Sequence, residues 1–332
     1  MRVLVVKTSS MGDVIHTLPA LTDAMNAHPE IRFDWVVEEG FQEIPEWHPA
    51  VDQVIPVAIR RWRKNIIKTL RSGEWSAYKK QLTLNHYDAV IDAQGLLKSA
   101  LLVTRLASGS SYGLDKHSAK EPFSAHFYDH PIGVAKQQHA VERVRQLFAQ
   151  ALKYPLPETR GDFAIRSHFL NPSEDASPYL VFQHSTTRFD KHWPEAYWSS
   201  LIEKAGAAGW QIKLPWGNPK ERERAERLAA QHNFVEILPK LSIAEVASVL
   251  VNARACVSVD TGLSHLAAAL DTPNFILFGP TDPGLVGGYG KDQTCLKSSD
   301  YPEIQAQIEP VVFAALTPEI VWNELTNFLN TR

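Results

Sequence analysis

The sequence predicts an α/β protein built from two doubly wound parallel-sheet domains. Three observations carry that prediction. Short apolar runs of strand length alternate with stretches of helical periodicity, and the alternation runs twice through the chain. A stretch with four prolines and weak periodicity, Lys153–Pro178, separates the two rounds. The chain has 332 residues, 44% of them apolar, which suffices for two cores rather than one.

The elements follow in order. Val3–Lys7 is an apolar run that meets a polar loop, so it reads as a buried strand. After the loop Thr8–Asp13 a helix extends to about Ala27, kinked at Pro19. Further strands are Phe33–Val37, Val54–Val57 and Ala89–Ala93, with helices over Leu96–Ala107 and Ala140–Leu152. The second round has strands at Tyr179–Gln183, Gln211–Leu214, Val235–Ile237, Ala255–Val259 and Asn274–Phe278. Helices near Glu195–Ala207, Lys220–His232, Ile243–Asn252 and Leu263–Leu270 separate them. Strands joined through helices run parallel. The expected domains are 1–160 and 161–332, two Rossmann-like units facing each other across a cleft. A final amphipathic helix, Pro318–Leu329, is expected to pack back on the first of them. Ligands of open parallel sheets sit outside the carboxyl ends of the strands, so function is sought in the loops that follow strands.

Composition excludes several classes. Acidic residues number 37 and basic residues 34, a balance unlike that of a strongly basic nucleic-acid binder, so no nucleic-acid partner is expected. The two cysteines, Cys256 and Cys295, form no C-x-x-C pair, which rules out a disulfide scaffold and a cysteine zinc site. Met1–Lys7 runs straight into a loop without the features of a secretory signal, and no apolar stretch approaches a membrane span. A cytoplasmic protein with reduced thiols is expected.

Charge is unevenly placed. Residues 1–160 carry a net of plus three and residues 161–332 a net of minus six. Between Ala58 and Lys80 stand Arg60, Arg61, Arg63, Lys64, Lys68, Arg71, Lys79 and Lys80 against one acid, Glu74, interleaved with Trp62, Ile66, Ile67, Leu70 and Trp75. Such a run is commonly a solvated face. A helix that is basic on one side and apolar on the other also suits an anionic membrane surface, or the grip on an anionic ligand.

Several motifs are missing. No G-x-G-x-x-G follows the first strand. Gly284–Lys291 is glycine-rich, but Leu285 stands where a P-loop needs its first glycine and Asp292 follows the lysine. There is no H-E-x-x-H and no D-x-D, so no metal site is expected and any leaving diphosphate must be neutralised by protein groups.

The loops that remain are informative. Asp260-Thr261-Gly262-Leu263-Ser264-His265 joins an apolar strand to a helix start, where backbone N–H groups and the helix dipole favour a phosphate. A plain N-cap explains the same residues equally well. Ser185–Pro194 offers Thr186, Thr187 and Lys191 beside another helix start, which suits a diphosphate or simply a polar loop. Glu221, early in the helix after Pro215–Pro219, is placed either for the dipole or for a ribose diol. Asp13, at the end of the first loop, is a helix cap or a general base for a sugar hydroxyl. Gln94–Leu96 holds the matching place on a neighbouring strand, and His139 and Arg143 share a helix face.

Together these residues resemble the lipopolysaccharide heptosyltransferases, the ADP-heptose transferases of glycosyltransferase family 9, over nearly the whole chain. The matching segments are Lys7-Thr8-Ser9-Ser10-Met11-Gly12-Asp13-Val14, Phe33–Glu39, Arg60-Arg61-Trp62-Arg63-Lys64, Ile91-Asp92-Ala93-Gln94-Gly95, Asp190-Lys191-His192-Trp193-Pro194 and Asp260–His265. The opening and the Arg-Arg-Trp-Arg-Lys run are most similar to members that add the first heptose to the Kdo of Kdo2-lipid A. The resemblance implies a GT-B fold and an inverting displacement, with Asp13 as base and Lys191 aiding departure of ADP. It implies donor contacts from Thr186, Thr187, Lys191, Glu221, Leu241, Asp260, Thr261, Gly262 and His265. It implies acceptor contacts from Ser10, Gly12, Arg60, Arg63, Lys64, Lys120, His139 and Arg143. Lys120 stands where arginine is expected, which keeps the charge and gives up bidentate recognition of a carboxylate. The partners implied are ADP-L-glycero-D-manno-heptose, Kdo2-lipid A and the cytoplasmic face of the anionic inner membrane, with no required cofactor. The same chemistry on another core acceptor, a GT-B-like epimerase or hydrolase, and a two-domain binding protein are the rival readings.

Overall fold

The computed structural model describes residues 1–170, 178–230, 232–304 and 307–331. Residues 171–177 of the expected linker, with Pro172, and Gln231 near the end of an expected helix lie outside the described residues. The chain divides into two compact units, Met1–Ile165 and Arg166–Arg332.

The first unit holds β1 (Arg2–Val6), β2 (Arg32–Glu38), β3 (Val51–Val57), β4 (His86–Asp92), β5 (Ser108–Leu114) and β6 (His130–Ile132). They form one parallel sheet in the order β3-β2-β1-β4-β5-β6. Val3 of β1 lies level with Phe33 on one side and Ala89 on the other. The second unit holds β7 (Tyr179–Gln183), β8 (Gln211–Leu214), β9 (Val235–Ile237), β10 (Ala255–Val259), β11 (Asn274–Phe278) and β12 (Gln293–Lys297). Its order, β12-β11-β10-β7-β8-β9, is the same topology read from the other edge. In each unit the chain winds outward on one side of the first strand and then on the other. The switch points are therefore β1/β4 and β7/β10, where the loops leave in opposite directions and open a crevice.

The apolar runs become central strands because parallel strands are covered on both faces. Val3–Val6 and Val257 and Val259 are fully buried. The missed strands are β5, β6 and β12. Strand β5 reads Ser-Gly-Ser-Ser-Tyr-Gly-Leu, with no apolar run to mark it. Its glycines serve close packing: a Cβ on Gly113 would stand 2.3 Å from the Tyr128 ring. Strand β6 has three residues at a sheet edge, too short for a periodic signal.

The helices need three corrections. The first expected helix is two, Met11–Ile15 and Leu18–Ala27, and Pro19 sits in the first turn of the second, where its missing N–H costs nothing. Leu96–Ala107 is a short turn followed by a π-helical segment, Ala100–Thr104. The basic run is not one amphipathic helix but three short ones, Ile59–Trp62, Ile66–Arg71 and Glu74–Leu82. Within the second unit, Val321 and Leu325 of Pro318–Asn330 enter the core, and the helix packs on Glu195–Ala207.

One buried ion pair ties down the end of the first unit. Arg145 is almost fully buried on the helix Ala140–Leu152, and its Nε meets Asp23 Oδ2 at 2.6 Å. Its Nη1 reaches Glu142 at 3.0 Å, and its Nη2 donates to the carbonyl of Thr159 at 2.8 Å. Burial pushes the Asp23 carboxyl upward, and the guanidinium pulls it back. The proline-rich segment is thereby anchored to the first unit at Pro157 and Thr159, and Phe163 and Ile165 are buried. Arg145→Met leaves Asp23 buried without its cation and is expected to cost about 3–5 kcal/mol, read as an earlier urea transition of the first unit.

Candidate active site

At the first switch point the loop after β1 is held from the loop after β4. The Gln94 side-chain oxygen accepts the N–H groups of Thr8 at 2.8 Å and Ser9 at 3.0 Å. Gln94 is aimed by Asp92, a fully buried carboxylate at the end of β4. Asp92 receives the N–H groups of Gln94 and Gly95 and the hydroxyls of Ser99, Thr104 and Tyr128. Burial pushes its carboxyl up, and these donors oppose the shift. Gly95 has φ +64°, a left-handed conformation that favours glycine.

The Asp13 carboxylate sits in the first helical turn after this loop. It accepts the N–H of Ser10 at 2.8 Å and the Ser10 hydroxyl at 2.7 Å, as the third residue of a capping box whose N-cap is Ser10. Its side chain is still 46% exposed, so the cap does not occupy it fully. The Lys7 ammonium lies 3.9 Å from Asp13 and donates to the Ala93 carbonyl at 2.8 Å. Burial lowers the Lys7 pKa, while Asp13 and Asp92 hold it up.

Lys7, Asp13, His16, Gln94, Lys120 and Arg143 line one cavity of about 140 Å³, closed on its apolar side by Leu114, Val144 and Leu147. Arg143 donates to the Ser118 carbonyl at 2.7 Å, and its buried Nε has no hydrogen-bond partner. Such an orphan is expected where a ligand completes the shell. His139 caps its helix through Nδ1, 3.2 Å from the Val141 nitrogen, and its ring stands edge-on to His16 at 5.4 Å. Gly12 is buried in the first turn beside Asp13. Ser10, Gly12, Asp13, Lys120, His139 and Arg143 are thus brought together. Three cations around one half-exposed carboxylate suit an anionic ligand that carries a hydroxyl to be deprotonated.

The other predicted acceptor residues stand apart from this cavity. Arg60 and Lys64 line a second hollow of about 370 Å³, with Glu38, Glu39, Phe41 and Arg61, at the end of β2. Arg63 is exposed and lines neither. Sequence reasoning did not select Lys7, His16 or Gln94 as site residues. Lys7 hides at the end of an apolar strand, and nothing local shows that Gln94 meets Thr8 and Ser9 across 86 positions.

The second unit repeats the arrangement at β7/β10. Lys191 Nζ meets Asp260 Oδ2 at 2.5 Å, and His265 Nε2 stands 4.0 Å from the other oxygen. The Thr186 hydroxyl donates to the Asp260 carbonyl at 3.2 Å. Thr261 occupies the N-cap of the helix Gly262–Ala269, and the Ser264 hydroxyl donates to its carbonyl at 2.7 Å. The loop that carries Thr186, Thr187 and Lys191 ends at Trp193, which is buried and donates to the Leu316 carbonyl at 2.8 Å. Thr187 is exposed. Glu221 accepts the Gly217 N–H at 2.7 Å and an Asn218 amide N–H at 2.6 Å, a closed turn at its helix start. Leu241 is half-buried just before the Ser242 cap of the next helix.

The pattern of glycosyltransferase family 9 (heptosyltransferase) matches residues 75–311. The chain belongs to that family. It is 61% identical over 302 residues to lipopolysaccharide heptosyltransferase 1 of Pseudomonas aeruginosa, covering 91% of this chain and 85% of that one. It is also 61% identical over 294 residues to lipopolysaccharide heptosyltransferase 1 of Escherichia coli K12, covering 88% and 92%. The solved structure of E. coli heptosyltransferase WaaC with ADP superimposes with a TM-score of 0.91 at 55% identity, over 100% of this chain and 99% of that one. The same enzyme with ADP-2-deoxy-2-fluoro heptose gives 0.89 at 54%, over 99% and 100%. The fold is accordingly that of the GT-B glycosyltransferases, and the enzyme class is heptosyltransferase. In this family 9 chain, Gln94→Ala strips two loop N–H groups of their acceptor. The expected loss is roughly 1–3 kcal/mol of first-unit stability by urea unfolding.

Proposed function

We propose that this enzyme moves L-glycero-D-manno-heptose from ADP-heptose to the first Kdo of Kdo2-lipid A, with inversion at the anomeric carbon. The observation that carries this reading is the half-exposed Asp13 carboxylate among Lys7, Lys120 and Arg143, in a chain about 60% identical to the heptosyltransferases 1. Asp13 takes the proton from the Kdo hydroxyl as that oxygen bonds to the anomeric carbon. The bond from that carbon to the ADP oxygen breaks from the opposite face, and ADP leaves with the electron pair. Lys120 and Arg143 pair with the acceptor's carboxylates, with Ser10, Gly12 and His139 shaping the pocket. Arg60, Arg63 and Lys64 meet its more distant anionic groups.

Charge on the departing diphosphate is met by Lys191, by Thr186, Thr187 and Thr261, and by the helix N-terminus at Gly262. An ammonium has three donors, so Lys191 can keep Asp260 and still donate to a phosphate oxygen. Asp260 and His265 orient the heptose. Glu221, whose carboxylate is already set by Gly217 and Asn218, receives the ribose, and the Leu241 backbone meets the adenine. We take these groups to do the work of a divalent ion, so no metal is required. No helix among the described residues is long and apolar enough to cross a membrane. The lipid acceptor places the enzyme peripherally on the cytoplasmic face of the inner membrane.

The first test mixes purified enzyme, ADP-heptose and de-acylated Kdo2-lipid A with excess chelator, and follows ADP release and product mass. ADP release should require the acceptor and add one heptose. Asp13→Asn should lower kcat by about 10²–10⁴-fold with ADP affinity kept. Release without acceptor would replace the transferase by a hydrolase or epimerase, and activity abolished by the chelator would overturn metal independence. In a second test, changing Arg60, Arg63 and Lys64 together to Gln should raise the acceptor KM at least tenfold and leave donor KM unchanged. Equal losses in both would remove these residues from the acceptor site.

A further inference from the structure

The helix Ile66–Arg71 is turned inside out. Ile66, Ile67 and Leu70 fall within an arc of about 100° on one face and are 62%, 66% and 62% exposed. In a surface helix this face normally meets the core. Here the core beneath is closed by other groups: Trp62, Trp75 and Tyr78 pack ring to ring at 5.5–5.7 Å, and Tyr78 is buried. The three aliphatic side chains are therefore surplus to the fold.

Their surroundings are basic. Arg63, Lys64, Lys68 and Arg71 are exposed and make no ion pair among the described residues. The nearest acids are already used: Glu74 is taken by Arg61 and the Trp62 indole, and Glu39 by Arg61. An apolar tip ringed by unneutralised cations is complementary to a bilayer with anionic headgroups, since the tip enters the acyl boundary while the cations stay at the headgroups. A protein partner would have to bring both an apolar pocket and a ring of acids.

We propose that Ile66, Ile67 and Leu70 form a membrane-inserting tip that docks the first unit on an anionic lipid surface, with Lys68 and Arg71 as its electrostatic flank. This rests on the peripheral location proposed above and names the surface that achieves it. None of these five residues belongs to the donor or acceptor set, so docking and transfer can be separated.

The test uses the full chain and sedimentation with vesicles that contain neither donor nor lipopolysaccharide. Wild type should pellet with phosphatidylglycerol/phosphatidylethanolamine vesicles and not with phosphatidylcholine alone. Ile66→Ser/Ile67→Ser/Leu70→Ser should lower the partition coefficient at least tenfold, and Lys68→Gln/Arg71→Gln should lower it about tenfold and weaken its salt dependence. Both variants should keep wild-type kcat and KM on the soluble de-acylated acceptor, which also reports that they fold. Wild type that ignores anionic vesicles, or a triple variant that binds them like wild type, overturns the proposal. Neither result bears on the transfer reaction, which is judged by the soluble assay.

Discussion

Asp13 and Gln94 in the first unit, and Lys191 and Asp260 in the second, hang from two pairs of parallel strands, β1/β4 and β7/β10. A parallel sheet that winds first one way and then the other leaves one place where neighbouring loops diverge rather than cover each other. Asp13 and Gln94 flank that place in the first unit, and Lys191 and Asp260 in the second. The backbone ladder between those strands is buried and regular, so the loops at its carboxyl end start from fixed points. What varies is the side chains that the loops carry.

Both switch points are wired the same way. Each has a carboxylate at or just beyond the end of its later strand, Asp92 in the first unit and Asp260 in the second. Their uses differ. Asp92 is fully buried and spends itself on five internal donors, fixing Gln94 and through it the Thr8–Ser9 loop. Asp260, itself buried, meets the Lys191 ammonium and a buried histidine. One is an interior brace and the other is a candidate site group, although both follow an apolar strand in the sequence.

The basic segment shows how tertiary packing sorts a mixed run. Its aromatic residues turn inward and complete the core of the first unit. Ile66, Ile67 and Leu70 turn outward with the lysines and arginines. Arg61 is neutralised by Glu39 and Glu74, whereas Arg60 and Lys64 border a hollow of their own. Eight like charges in sequence therefore divide into a bridging cation, a pair at the hollow and an exposed remainder.

The sequence by itself determined the class of fold, nine of the twelve strands among the described residues and the loops that line the candidate site, because buried parallel strands must be apolar and their loops must not be. The part Asp13 plays in a cap and the helix start at Thr261 were legible for the same local reason: a cap acts over three residues. Tertiary structure alone decided the rest. Gln94 reaches Thr8 across 86 positions, and Lys191 reaches Asp260 across 69. Lys120 and Arg143 converge on Lys7 and Asp13 from separate elements. Strand β5 escaped notice because its partners fit it by glycine, not by apolar mass. No periodicity records such contacts, since they depend on which elements become neighbours and not on any residue's own preference.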